Sequence, residues 1–154
     1  MNTKIIKPFK IIGIAVRTTN ENGQAGTDIG ALWQQFMTTG VLDRIPNKIT
    51  NDIYSIYTDY ESDHTKPYTT ILGCQVSDIS DIPKGMVAKT FEGGNYTEFT
   101  AKGNLQEGAV YQEWSKIWDM DLARKYTADF EVYGEKSQNP NDAEVAIFIA
   151  VELK

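Results

Sequence analysis

The sequence predicts an α+β fold: a duplicated strand–helix–strand–strand unit, forming an antiparallel sheet with two helices on one face and a central cleft. Three internal resemblances predict it. Gly13-Ile14-Ala15-Val16-Arg17-Thr18 resembles Gly85-Met86-Val87-Ala88-Lys89-Thr90, 72 residues later. Gly30-Ala31-Leu32-Trp33-Gln34-Gln35-Phe36 resembles Gly108-Ala109-Val110-Tyr111-Gln112-Glu113-Trp114, at an offset of 78. Tyr54-Ser55-Ile56-Tyr57 resembles Phe130-Glu131-Val132-Tyr133, at 76. The matches keep their order, so the chain reads as one domain over 1–154. Its pseudo-repeats span about 8–78 and 83–154 and meet near Asp78-Ile79-Ser80-Asp81-Ile82-Pro83.

Each element has a local reason. Phe9 to Thr18 is rich in Ile and Val and reads as a strand. Residues 20–26 are polar and bear glycine, as a loop does. Thr27 is a suitable N-cap, and Asp28 suits a first helical turn. Ile29, Leu32, Trp33, Phe36 and Met37 recur at helical spacing. Gly40 is a stop signal, with Val41 and Leu42 able to extend the turn. Ile53 to Tyr60 and Tyr68 to Ser77 form a hairpin. Its loop, Glu61-Ser62-Asp63-His64-Thr65-Lys66-Pro67, places His64 in solvent.

In the second unit, Gly85 to Thr100 reads as a strand kinked at Gly93-Gly94. Asn104 caps a helix bearing Val110, Tyr111, Trp114, Ile117 and Trp118. Phe130 to Glu135 and Glu144 to Leu153 form the last hairpin.

Composition narrows the function. The chain has 154 residues, 15 Lys+Arg against 21 Asp+Glu, and a net charge of −6. Its basic residues are scattered, so no direct nucleic-acid partner is expected. One cysteine, Cys74, excludes an intrachain disulfide. With one histidine, His64, neither a metal site nor a His-dependent catalytic triad is expected. No cofactor is expected. No stretch approaches a membrane span, and the first residues lack the apolar run of a signal peptide. The expected location is cytoplasmic, with no membrane partner.

Glu131 is the most informative residue. It sits in a strand with apolar neighbours, where its repeat counterpart is Ser55. Glutamate suits a strand interior poorly, and a buried carboxylate is costly unless paired. One reading has Glu131 facing solvent or meeting a distant Lys or Arg. The other makes it the acidic floor of an aromatic pocket, attracting a cation together with the ring faces. Tyr57 and Tyr133 could then hydrogen-bond the empty carboxylate. Helical spacing makes Trp33, Phe36, Trp114 and Trp118 read first as core, with pocket wall as the second reading.

These residues carry a resemblance. Leu32-Trp33-Gln34-Gln35-Phe36, the Ile53–Asp63 segment, Tyr68-Thr69-Thr70-Ile71-Leu72-Gly73, Phe130-Glu131-Val132-Tyr133 and Val145–Val151 together resemble the gyrase-inhibitor-like effector-binding domain of AraC-type and MerR-type multidrug regulators. Within that superfamily the chain is most similar to the free-standing, integron-associated effector-binding proteins. Ala150 stands where the family usually has proline.

The resemblance implies a cleft for hydrophobic, often cationic, small molecules. The family glutamate matches Glu131, and the aromatic walls match Trp33, Tyr57, Tyr68, Trp114, Tyr133 and Phe148. No catalytic residue is assigned. A helix-turn-helix does not fit before Phe9, which leaves a separate regulator protein as an open partner. The alternatives are a hydrolase of strained electrophiles using Glu131 as general base, and an inhibitor that binds a topoisomerase.

Overall fold

Residues 2–152 are described in a computed structural model. Strands β1 (Asn2–Ile6) and β2 (Phe9–Thr18) lead into α1 (Gln24–Thr38) and the short α2 (Val41–Arg44). Strands β3 (Ile53–Thr58) and β4 (Tyr68–Val76) form a hairpin. The second half repeats this with β5 (Val87–Phe91), β6 (Gly94–Gly103), α3 (Ala109–Trp118), β7 (Ala128–Tyr133) and β8 (Ala143–Ala150). All eight strands join one antiparallel sheet in the order β1-β6-β8-β7-β3-β4-β2-β5.

The halves meet at β3 and β7, where Ser55 lies directly opposite Glu131. These are also equivalent positions of the repeat, so the pseudo-twofold axis passes through that pair. Outward from it the order is the same on both sides. The outermost strands are exchanged: β1 pairs with β6 of the second half, and β5 with β2 of the first.

That exchange corrects two expectations. The kink at Gly93-Gly94 is real, but it divides Gly85–Thr100 into two strands with different partners. The registers also equate Ile6 with Phe91 and Phe9 with Gly94, an offset of 85. Gly85–Thr90 therefore corresponds to the β1 region, not to Gly13–Thr18, and the offset of 72 was a chance likeness. At the bend, Gly93 has φ +74°, and a Cβ there would lie 2.2 Å from the Ile6 carbonyl oxygen. Both the left-handed backbone and the close approach require glycine.

The helices start differently from the sequence expectation. Helix α1 begins at Gln24, with Gly23 in left-handed conformation before it, so Thr27 lies inside the first turn rather than at the N-cap. Asn104 does cap: its side chain accepts from the backbone N–H groups of Gln106 and Glu107. It caps a single 3-10 turn, however, and α3 follows only after Gly108. The last hairpin starts at Ala128, its second strand runs Ala143–Ala150, and the expected end of that strand, Leu153, lies outside the described residues.

Packing follows the alternation of side chains across the sheet. Under α1, Ile12, Ile14, Leu32, Phe36 and Leu72 are buried together. Under α3, Trp114, Ile117, Val145, Ile147 and Ile149 form the matching cluster. Met37, expected on the apolar stripe, is exposed. The opposite face of the sheet carries an aromatic cluster of Phe9, Phe91, Tyr96 and Phe130 with Tyr54 and Phe148 against it.

Candidate functional site

The two helices stand apart over β3 and β7, leaving a cleft of about 780 Å³ between them. On the α1 side its wall is partly glycine. Gly26 and Gly30 line the cleft, and a Cβ on either would meet nothing within 4 Å. Trp33 follows on the same wall. On the α3 side Val110, Tyr111, Trp114 and Trp118 line it.

Glu131 forms the floor. It is 2% exposed on β7 and lines the cleft. Three neutral groups donate to its carboxylate. Tyr57 Oη and Trp114 Nε1 donate to Oε2 at 2.8 and 2.6 Å, and Tyr133 Oη donates to Oε1 at 2.5 Å. Ser55 Oγ donates to Tyr57 Oη at 3.2 Å, extending the network across the axis. Among the described residues no Lys or Arg forms an ion pair with Glu131, which rules out the solvated or distantly paired alternative. Burial raises its pKa above the ordinary value, and the three donors, Tyr133 first, offset part of that rise. The tyrosines respond in kind. Burial and then the Glu131 charge push Tyr57 and Tyr133 well up, and Tyr68 up to about 12.

The rings interlock in a pattern that repeats across the axis. Trp114 meets Tyr57 edge-on at 5.5 Å, and Trp33 meets Tyr133 edge-on at 4.9 Å. Tyr57 and Tyr133 are repeat counterparts, so Trp33 and Trp114 are counterparts too. The helices therefore align three residues away from the sequence match that paired Trp33 with Tyr111. Tyr68 meets Tyr57 edge-on at 6.0 Å.

Of the residues expected at the site, Glu131, Tyr57, Tyr133, Trp33, Tyr68 and Trp114 all line this cleft. Phe148 does not. It pairs with Phe130 across β7 and β8 and stacks on it at 4.9 Å, on the opposite face of the sheet from Glu131. Its expected place in the wall is corrected by strand parity.

The structure adds residues the sequence did not single out. His64, expected in solvent, lines the cleft and stacks on Trp118 at 5.7 Å with 9° between the planes. Burial, then the Arg124 charge, lower its pKa. Tyr60 and Arg124 also reach the cleft, and Trp118, left between core and wall by the sequence, lines it too. Arg124 Nη2 donates to Asp129 Oδ2 at 2.7 Å, in an ion pair whose side chains are 5% and 0% exposed. Tyr60 Oη donates to the same oxygen at 2.6 Å, and the Ala150 backbone N–H donates to Asp129 Oδ1 at 2.8 Å. Among the described residues no group of three or more His, Cys, Asp and Glu is placed to hold a metal ion. No helix there is long and apolar enough to cross a membrane.

Comparison with known proteins agrees with this architecture. An integron cassette protein from the mobile metagenome of Vibrio cholerae is 30% identical, with a TM-score of 0.74 over 98% of this chain and 95% of that one. SAV2435, solved bound to tetraphenylphosphonium, shares the fold with a TM-score of 0.81 at 19% identity, over 98% and 93% of the two chains. YobU of Bacillus subtilis (strain 168), a candidate transcriptional regulator, is 26% identical over 151 residues, 93% of this chain and 92% of its own. The model of the integron-associated effector-binding proteins matches residues 4–151, and the chain belongs to that family.

Proposed function

We propose that this protein is a cytoplasmic small-molecule receptor that takes hydrophobic cations into the aromatic cleft, with Glu131 as counter-ion. One observation carries the reading. Glu131 is a buried carboxylate held only by neutral donors, at the floor of an open aromatic cleft. A carboxylate without a cation in a low-dielectric site attracts one strongly. Surrounding ring faces add to that attraction and desolvate an aromatic ligand. The three donors keep the empty site tolerable. That SAV2435 has been solved with tetraphenylphosphonium supports the same ligand class. A separate regulator protein would be the partner that reads occupancy.

The hydrolase alternative has less support. Glu131 already accepts three hydrogen bonds, and the other carboxylate two residues away, Asp129, is committed to Arg124. No free acid–base pair results.

The test is a thermal-shift and titration series with matched cationic and neutral hydrophobic dyes, on wild type and Glu131→Gln. Cations should raise the melting temperature of wild type by mass action and that of the variant far less at the same concentration. Equal stabilisation of both proteins would remove Glu131 from the explanation. Absence of any response would remove hydrophobic cations as the ligand class of the cleft.

A further inference from the structure

We propose that the cleft is shaped for a cation bearing one neutral aromatic arm, and that this arm packs on α1 over Gly26 and Gly30, where the opposite helix carries the ring of Tyr111. The inference rests on the reading of Glu131 as the cation site and specifies the shape of its ligand.

The pseudo-twofold frame shows which side chain α1 lacks. Trp33 and Trp114 are counterparts, so Ile29 corresponds to Val110 and Gly30 to Tyr111, and all six line the cleft. The first two pairs are of like kind. The third is not. Tyr111 is 65% exposed and meets Trp118 edge-on at 5.9 Å, so α3 carries its own ring at this level of the wall. Helix α1 carries none there, and a Cβ on Gly30 would meet nothing within 4 Å. The two walls therefore differ by one aromatic side chain, and the recess is on the α1 side.

Folding does not explain these glycines. Gly23, just before the helix, takes a left-handed φ of +72°, which suits glycine. Gly26 and Gly30 lie inside Gln24–Thr38, one turn apart, and neither has a positive φ. Neither has a neighbour that would exclude a side chain. Glycine at either position weakens the helix relative to alanine. Both face the cleft that Glu131 floors, which points to its occupant as the reason.

The chemistry of this wall selects the arm. Besides the two glycines, α1 presents Ala25, Ile29 and Trp33 to the cleft, none of them charged. The glycines lie toward the N-terminal end of a 15-residue helix, whose positive end repels a cationic centre. Charge is thus directed to Glu131 and an apolar group to the α1 wall. A flat ring suits a glycine face because it can lie against the backbone, where a larger side chain would hold it off.

The probes are tetraethylammonium and benzyltriethylammonium, which differ in one arm, with tetraphenylphosphonium beside them. All three tryptophans of the chain line the cleft, so intrinsic fluorescence follows the titrations. On wild type the benzyl ion should bind at least about tenfold more tightly than tetraethylammonium, through burial of its ring. Gly30→Leu fills the recess, because a helical side chain leans toward the N-terminus and so over Gly26. It should keep or raise the melting temperature, since leucine is the better helix former. It should cut the benzyl advantage below about threefold while tetraethylammonium binds as before. Gly30→Ala should keep most of the advantage and Tyr111→Ala all of it. In Glu131→Gln both ions should weaken alike and the ratio should persist. The arm is overturned if wild type shows no benzyl advantage, if Gly30→Leu leaves the advantage intact, or if Tyr111→Ala removes it. Glu131-dependent binding of tetraphenylphosphonium then leaves the cation reading standing. Failure of all three ions to bind overturns the Glu131 reading and the arm with it.

Discussion

Affinity for a monovalent aromatic cation should rise with pH, because the free carboxyl of Glu131 must give up its proton to act as a counter-ion. Burial holds that carboxyl above its ordinary value of 4.5. Below the raised value the cation meets a neutral acid; above it, a carboxylate. For two unit charges about 5 Å apart at an effective dielectric near 20, the difference is about 3 kcal/mol, or roughly a hundredfold in Kd. While the carboxyl is protonated, Kd should fall about tenfold per pH unit, since one proton leaves for each cation bound. Above the raised value Kd should level off. Titration calorimetry from about pH 5 to about pH 8, in buffers of different ionisation enthalpy, measures both the slope and the released proton. The other groups facing the cleft limit the ambiguity. Tyr57, Tyr68 and Tyr133 are pushed up by burial and stay neutral throughout this range. His64 is lowered by burial and then by Arg124, and its protonation in acid would also repel a cation. The slope must therefore survive in His64→Phe and vanish in Glu131→Gln. A flat Kd, or binding that strengthens toward acid, would refute the reasoning. Stability carries the matching sign. The contribution of Glu131 is full below about pH 4.5 and is lost as pH rises through its folded value, at up to about 1.4 kcal/mol per unit. Glu131→Gln should not show that loss.

Further outcomes test the frame around the site. Gly30→Phe should abolish ligand binding with the melting temperature kept, because its side chain grows into open cleft space; Gly30→Ala should keep binding and add about 0.5–1 kcal/mol of helix stability. Gly13→Ala should destabilise by at least about 3 kcal/mol in chemical denaturation, since its Cβ would lie 2.0 Å from the Leu72 carbonyl oxygen in the partner strand. Arg124→Met should lower stability by about 3–5 kcal/mol by leaving Asp129 buried without its cation. Adding Asp129→Asn should recover part of that loss in the same melting assay.

What the sequence disclosed, and what it hid, divides along range of interaction. Glu131 was legible because a carboxylate among Phe130, Val132 and apolar neighbours violates the local logic of a strand. The β3–β7 match was legible because the residues around the axis are nearly the same in both copies. Phe148 was misplaced because its face depends on the register of β8 against β7, which side-chain alternation within one strand does not supply. The exchanged outer strands were hidden for the same reason. Two residues, Glu92 and Gly93, separate β5 from β6, and nothing local says that the two pair at different places in the sheet. His64 read as a loop histidine because its setting is entirely tertiary: it is made by Trp118 and Tyr126, more than fifty residues away. Arg124 and Asp129 lie close in sequence, yet only the burial of both shows that the pair is internal.

The asymmetry placed on this symmetric frame accounts for a single buried carboxylate at the floor of the cleft. Position 131 lies on the axis, facing Ser55 across the strand pair. A carboxylate at both positions would set like charges side by side in a buried site, and one would be forced to keep its proton. A serine at both would leave Tyr57, Tyr133 and Trp114 donating to nothing charged. With one glutamate the pseudo-twofold frame supplies donors from both halves, Tyr57 from the first and Trp114 and Tyr133 from the second. Two residues earlier on the same face, Asp129 is neutralised within the protein by Arg124. The same strand thus carries one carboxylate whose charge is settled internally and one whose charge is only screened by dipoles. Folding can tolerate the second because hydrogen bonds offset part of its burial, but neutral donors do not cancel a full charge. On the proposed reading the remaining imbalance is what a bound cation would collect, in competition with a proton on the raised carboxyl.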